Sequence, residues 1–181
     1  MRIVGVRGIE KVMRGLNREI RTFKYVSVAG LVKATAVIRN ATESQPPLTP
    51  VDIGNLKASW LVVTSRGDIR VGRSPAFKAA RRKRKGEGRP RKVDIEALRR
   101  NHTMTITNAQ SKAMSYGYPA VTFGYSANYA SIVHDKQGVA HWSRAGSGEQ
   151  WFLRALERNK GLMLSKIANS SRIPKRRGSN K

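Results

Sequence analysis

Cysteine is missing from all 181 residues of this chain, and long apolar runs are missing too. Without cysteine the protein can form no disulfide and use no thiolate, so its compartment cannot be inferred from redox chemistry. No apolar run approaches the roughly 20 residues that a membrane-spanning helix needs. The N-terminal stretch 1–16 is charged throughout, unlike a signal peptide. We therefore expect a protein that is made in a cytoplasm and has no membrane partner.

Motifs for catalysis and cofactor binding are also missing. The three histidines, His102, His134 and His141, show none of the spacings that hold a metal ion, and no GxSxG-type nucleophile turn accompanies them. The glycine-rich piece 86–90 lacks the Lys-Ser of a phosphate-binding loop. Eleven acidic residues are few for a metal-dependent nuclease. The sequence predicts a protein that is not an enzyme and binds no cofactor or metal.

What the chain has in excess is positive charge. Thirty-six Lys and Arg residues give a formal net charge of +25, and the pI is about 11.5. A charge of this size concerns partners rather than fold, so nucleic acid, an acidic protein surface or both are the candidates. A purely solubilising role for the charge is the alternative.

The periodicity of apolar residues predicts helices at both ends of the chain. Steps of three and four over 8–24 and 31–41 indicate a short helix and then a longer one, because β-branched residues and a glycine interrupt the pattern over 25–30. The longer helix should end before Pro46-Pro47. A second strong amphipathic helix is predicted over 149–170.

Strand signals lie between these helices. β-Branched and aromatic residues over 57–65, the turn Gly67-Asp68 and residues 69–72 predict a hairpin. Further predictions are strands over 103–107 and 119–125, a short helix over 127–134 and a loop over 138–148. The sum is an α+β fold in which the N- and C-terminal helices pack on one face of a small antiparallel sheet.

A long basic insertion interrupts this pattern over about 74–102. Residues 78 to 100 hold eleven basic side chains against three acidic ones, so we expect an arm that is flexible in the free subunit and ordered on a partner, with a short helix over 93–100. The residues expected to bind a partner or DNA are Arg81, Arg82, Lys83, Arg84, Lys85, Arg89, Arg91 and Lys92. A basic tail over 173–181, with Lys175, Arg176 and Arg177, follows a single domain over 1–172.

Six aromatic residues lie in the patterned segments or beside them, and aromatic side chains often anchor protein interfaces. We expect most of them in the core. Trp142 is the exception and an interface candidate, because it lies in the polar, glycine-bearing loop HWSRAGSG. The other five are Trp60, Tyr125, Tyr129, Trp151 and Phe152.

The most informative stretch is TPVDIGNLKASW, residues 49–60, which we call the turn motif. Pro50 fixes one φ angle, Gly54 can take a positive φ, and Asp52 can accept hydrogen bonds from backbone amides that follow it. Leu56 and Ser59 lead into the apolar row of a strand. These residues predict a structural turn between a helix and a strand.

Together with two later segments, the turn motif resembles the tail-completion, or head–tail neck, proteins of tailed bacteriophages. The resemblance covers residues 8–66 and 115–168. The matching residues of the turn motif are Pro50, Val51, Asp52, Gly54, Leu56, Lys57 and Ser59, with Ile53 where the family usually has Thr. A Tyr-Ala pair leading toward an acid is matched by Tyr129, Ala130 and Asp135, and a helix start by Phe152, Leu153, Arg154, Ala155 and Leu156.

The resemblance implies a structural virion protein of the phage neck, assembled in the host cytoplasm, with the same α+β architecture. It would form a sixfold or twelvefold ring that joins the portal-side connector to the tail terminator or tail-tube proteins, with packaged DNA as a further partner of the basic arm. The alternative is a small basic nucleic-acid-binding protein of architectural or ribosomal type. Against it, the basic residues cluster in a loop and a tail rather than along a recognition helix.

Overall fold

In the computed structural model of this chain, helices pack on a small antiparallel sheet. The structure describes residues 9–51, 54–79, 93–135, 142 and 144–171. The α+β prediction is confirmed. In chain order the elements are α1 (Ile9–Ser44), α2 (Asn55–Ala58), β1 (Trp60–Thr64), β2 (Ile69–Val71), α3 (Ile95–Ser115), β3 (Val121–Tyr125), α4 (Ala130–Asp135) and α5 (Trp151–Ser171).

The sheet of the described residues has the strand order β2-β1-β3, with both pairs antiparallel. The predicted hairpin is confirmed, because β1 pairs with β2 across the turn at Gly67-Asp68. Residues 57 and 58 of the predicted first strand belong instead to α2. All five residues of β1 are buried, so this central strand supplies core to both faces of the sheet.

The two faces of the sheet pack against different helices. Trp60 and Val62 pack with Ile38 and Ala41 of α1 and Ala155 of α5 on one face. The N- and C-terminal helices therefore share a face, as predicted. Leu61 and Val63 point to the opposite face, where they pack on α3 through Ile106, Ala109 and Ala113. α3 therefore lies on the face opposite to the N- and C-terminal helices.

α1 is one continuous helix of 36 residues, so the predicted interruption over 25–30 is wrong. Gly30 packs against α5, where a Cβ would come within 3.0 Å of Ser170 Cβ and 3.1 Å of the Ile167 carbonyl oxygen. The glycine permits close approach of two helices rather than breaking one of them. The predicted end before Pro46-Pro47 is confirmed.

α3 is the largest departure from the sequence predictions. The strand predicted over 103–107 is wrong, because these residues lie inside a 21-residue helix. The helix begins after Asp94, whose side chain caps it by accepting from Ala97 N at 2.9 Å. The predicted arm, which ran to residue 102, is therefore too long at its C-terminal end. The remaining predicted elements, β3, α4 and α5, lie within a few residues of their expected positions.

Candidate interaction surface

Three segments that are far apart along the chain meet beside the N-terminal end of α5. Leu56, Ala127 and Trp151 form one buried cluster. The backbone N and the Oγ of Ser126 donate to the Ser59 carbonyl oxygen at 3.0 and 3.2 Å. The turn motif, the segment that follows β3 and the start of α5 therefore pack as one structural unit.

Within that unit the described residues of the turn motif make local contacts. Gly54 adopts a left-handed conformation with φ 93°, which an L side chain would strain. Leu56 and Ser59 are buried, and Ser59 Oγ donates to the Leu56 carbonyl oxygen at 2.7 Å. Pro50 is partly buried. Asp52 lies outside the described residues, so its predicted hydrogen bonds stay a prediction.

Lys57, the basic residue of the turn motif, forms its ion pair within the same subunit. Lys57 Nζ lies 2.6 Å from one carboxylate oxygen of Glu43, and Arg39 Nε lies 2.6 Å from the other. Arg39 Nη2 also donates to the Lys57 carbonyl oxygen at 2.9 Å. The Arg39 guanidinium lies over the rings of Trp60 and Tyr125, 5.5 and 5.7 Å from their centroids. These contacts hold α1, α2 and the sheet together rather than presenting charge to a partner.

Asn55 is the residue of the turn motif that sequence reasoning missed. It is buried, its Nδ2 donates to the Lys78 carbonyl oxygen at 2.9 Å, and its Oδ1 accepts from Lys78 N at 2.7 Å. Next to this clamp, Val93 N donates to the Ala79 carbonyl oxygen at 3.0 Å. The two ends of the basic segment are thus held together against the core. The predicted binding residues between 81 and 92 lie outside the described residues.

We expect Asn55→Ala to lower the free energy of unfolding by about 1–3 kcal/mol, because the buried Asn55 side chain and its two hydrogen bonds to the Lys78 backbone would be lost. Urea unfolding followed by circular dichroism measures this change. Asn40→Ala is the matched control, since Asn40 is exposed on α1 and its replacement should change stability by less than about 0.5 kcal/mol. Equal effects of the two substitutions would contradict a clamp at Asn55.

His102 was placed in the predicted arm, but the structure buries it in α3. Its Nδ1 lies 2.5 Å from Ser126 Oγ, and its Nε2 bonds to the Gly72 carbonyl oxygen. A Ser–His pair can serve a nucleophilic enzyme. Here His102 is 3% exposed and Ser126 5%, so a substrate cannot reach either side chain in this conformation. The pair instead ties α3 to the ends of β2 and β3.

Trp142 is partly buried, and the neighbouring Arg144 joins its loop to α1. Arg144 Nη2 donates to the Glu43 carbonyl oxygen at 2.7 Å, and Nη1 donates to the Thr49 carbonyl oxygen at 3.3 Å. An interface role for Trp142 stays a prediction. The tail residues Lys175, Arg176 and Arg177 lie outside the described residues. Of the other aromatic residues, Trp60 and Trp151 are buried, and Tyr125 and Phe152 pack against the core, as predicted.

An exposed apolar feature lies on the N-terminal half of α1. α5 ends near Gly30, so residues 9–26 of α1 extend beyond it by about 27 Å at 1.5 Å per residue. Four apolar side chains at steps of three and four form one line along this extension, and each is about half exposed. They are Met13, Leu16, Ile20 and Phe23, and we call them the α1 stripe. The sequence pattern identified the stripe but did not show that it is uncovered.

A shallow groove continues the α1 stripe onto the loop between α3 and β3. Ile20 and Phe23 line one wall, Tyr118 and Pro119 line the other, and the groove has a volume of about 410 Å³. Tyr118, itself exposed, stacks on Tyr116 with 5.1 Å between ring centroids. Exposed aromatic and aliphatic groups that line a common groove are typical of protein interfaces.

The described residues also bear on metal binding and membrane insertion. Among them no three His, Asp or Glu side chains lie together in a way that could hold a metal ion. None of the helices in the described ranges is long and apolar enough to cross a membrane. No protein-family model, curated protein or solved structure matches this chain.

Proposed function

We propose that this chain is a structural virion protein of a tailed-phage neck, which forms a ring between the portal-side connector and the tail and completes head–tail attachment. Its partners are copies of itself and, on the two sides of the ring, connector and tail terminator or tail-tube proteins. The ring performs no covalent chemistry. The residues of the turn motif and of the start of α5 act by building the subunit that the ring repeats.

One observation carries the proposal: the three segments of the phage-neck resemblance meet in space. Leu56 lies 71 residues before Ala127, and Ala127 lies 24 residues before Trp151, yet the three share one buried cluster. A family pattern that specifies one structural unit requires its segments to pack together in this way. A shared structural unit supports reading the three matches as one family pattern rather than as separate coincidences.

The surface of the subunit also suits assembly. The four large apolar side chains of the α1 stripe are about half exposed along one side of the helix. Most helical stability in proteins comes from tertiary packing of the apolar face rather than from helix propensity. A neighbouring subunit that covers the stripe supplies that packing.

The second candidate is a basic nucleic-acid-binding protein, which the net charge of +25 favours. A phosphate backbone would neutralise that charge without any ring. This candidate does not use the α1 stripe, because phosphate contacts need cations rather than exposed aliphatic side chains.

We expect the full chain to form a discrete species of six or twelve times its 20.1 kDa mass, alone or on mixing with the connector protein of the same particle. Gel filtration with light scattering measures the mass, and a filter assay measures binding to duplex DNA over a salt series. A ring supports the neck protein. A monomer under all conditions that binds DNA in a salt-sensitive manner supports the second candidate and contradicts the first.

A further inference from the structure

The α1 stripe continues the side of α1 that packs on α5. At about 100° per residue, helical geometry places the stripe on the same side of α1 as Gly30, Ile38 and Ala41. Gly30 lies against Ser170 of α5, and Ile38 and Ala41 share a buried cluster with Ala155 of α5. Toward the N-terminus of α1 this side runs on past the end of α5, where its apolar side chains are about half exposed. The stripe is therefore the continuation of a helix-packing surface beyond the point where its second helix ends.

The spacing of the stripe indicates what covers it. Its members follow one another at steps of three, four and three, which is the spacing of helices that pack lengthwise on each other. The residues that follow α5 do not carry such a row, because 172–181 hold five Lys or Arg residues, a proline and one aliphatic side chain, Ile173. A second copy of α1 carries the matching row.

The end of α5 decides how two α1 helices can lie on each other. In a parallel pair, the part of the second α1 that follows residue 26 would occupy the place where α5 already packs. In an antiparallel pair the second α1 comes from the other side, and its first residue, Ile9, reaches the level of Ser27, beside the end of α5. The uncovered length of α1 is the same in both copies, so each copy fills the length that the other leaves open.

Most of the positive charge on this half of α1 lies away from such a pair. Arg14, Arg18 and Arg21 lie about 120–180° around the helix from the centre of the stripe. Lys24 and Glu19 border the stripe, and in the antiparallel pair Glu19 approaches its equivalent in the other copy. An exposed contact of this kind has a small effect. The net charge of +25 on each copy opposes association, so added salt should strengthen the pair by screening that repulsion.

We infer that two free copies of this chain form a twofold dimer in which their α1 stripes pack antiparallel. Met13 of one copy lies opposite Phe23 of the other, and Leu16 lies opposite Ile20. Tyr118, on the far wall of the groove beside Ile20 and Phe23, flanks the second helix. A contact that uses the same surface of both copies closes on two copies. It is therefore separate from the head-to-tail contacts of the proposed ring and goes beyond the proposed function.

Introduced thiols report this pair directly, because the chain has no cysteine of its own. Met13→Cys and Phe23→Cys change exposed positions, so both variants should fold. A mixture of the two should give a dimer with a short thiol-to-thiol crosslinker, since the two positions face each other. Each variant alone should give little, because its two thiols lie ten residues, or about 15 Å, apart along the pair. Ile132→Cys mixed with Phe23→Cys is the control for random collision, as Ile132 is a 69% exposed residue of α4.

Sedimentation over a concentration series measures the same pair without a crosslinker. The wild-type chain alone should approach twice its 20.1 kDa mass as concentration rises. Leu16→Lys should raise the dissociation constant of the dimer by about 30-fold or more, as loss of an interface hot spot does. Ile132→Lys should leave it unchanged.

Three results would overturn the antiparallel pair. They are a mixture that crosslinks no better than the control, single variants that crosslink as well alone as together, and a wild-type chain that is a monomer at every concentration. The last result is also expected if residues 172–181 of the same copy cover the stripe. None of the three decides the proposed function, which is tested by ring formation with the connector protein.

Discussion

Gly72→Ala is expected to destabilise the subunit by about 2–5 kcal/mol. Gly72 has φ 90°, and a Cβ there would lie 2.5 Å from the Trp60 carbonyl oxygen and 3.0 Å from Leu61 Cα. Both atoms belong to the backbone of β1, the buried central strand, so they cannot give way as a flexible side chain could. The left-handed conformation contributes about 1–2 kcal/mol and the overpacking about 1–3 kcal/mol.

Two other glycines separate these two causes. Gly54 has φ 93° but no atom within 4 Å of an added Cβ, so Gly54→Ala should cost only the conformational part, about 1–2 kcal/mol. Gly117 is exposed, and an added Cβ meets nothing within 4 Å, so Gly117→Ala should be close to neutral. Urea unfolding of the three variants gives the order. If Gly72→Ala cost no more than Gly54→Ala, the chain after β2 would not be held against β1 as the structure has it.

The fold could be predicted where local pattern and tertiary packing agree. The hairpin of β1 and β2 and the C-terminal helix α5 were found from β-branched runs, a Gly-Asp turn and apolar periodicity. The errors occurred where packing overrides propensity. Gly30 disfavours a helix locally, but the close approach of α5 at that position keeps α1 continuous.

The strand predicted over 103–107 failed for a related reason. Thr and apolar residues alternate there with a period of two, which is typical of a strand. The longer window holds Leu98, His102, Ile106, Ala109 and Ala113 at steps of three and four, and these are the buried residues of α3. A window of five residues could not distinguish the two periods.

The functional residues divide in the same way. The turn motif could be recognised because its chemistry is local: a left-handed Gly54 and a Ser59 that bonds three residues back. The role of Asn55 could not be predicted, because its partner Lys78 lies 23 residues away. Likewise the sequence shows the apolar spacing of the α1 stripe. Only the structure shows that α5 ends near Gly30 and does not cover the stripe.

Replacing Arg81, Arg82, Lys83, Arg84 and Lys85 with serine is expected to leave the subunit folded while impairing ring assembly or attachment of tail to head. These residues lie outside the described part of the chain, between ends that the Ala79–Val93 hydrogen bond and Asn55 hold to the core. Five adjacent cations need counter-charge wherever they pack, because unpaired cations are costly to desolvate. We expect acidic patches on neighbouring subunits to supply most of it, with packaged DNA as the lesser partner.

Salt tests the electrostatic nature of this attachment. Contacts of the five cations with acidic protein should weaken as salt rises, because exposed ion pairs are screened over about 8 Å at physiological ionic strength. Head–tail joining in vitro over a salt series measures this effect. Ile132→Lys is a folded control of altered surface charge, because Ile132 is an exposed residue of α4. The contrary outcome is a five-serine variant that joins heads to tails normally but loses affinity for DNA. In that case a plot of log DNA affinity against log salt concentration should have a slope flatter by about 4.5, and the partner of these residues would be the packaged genome.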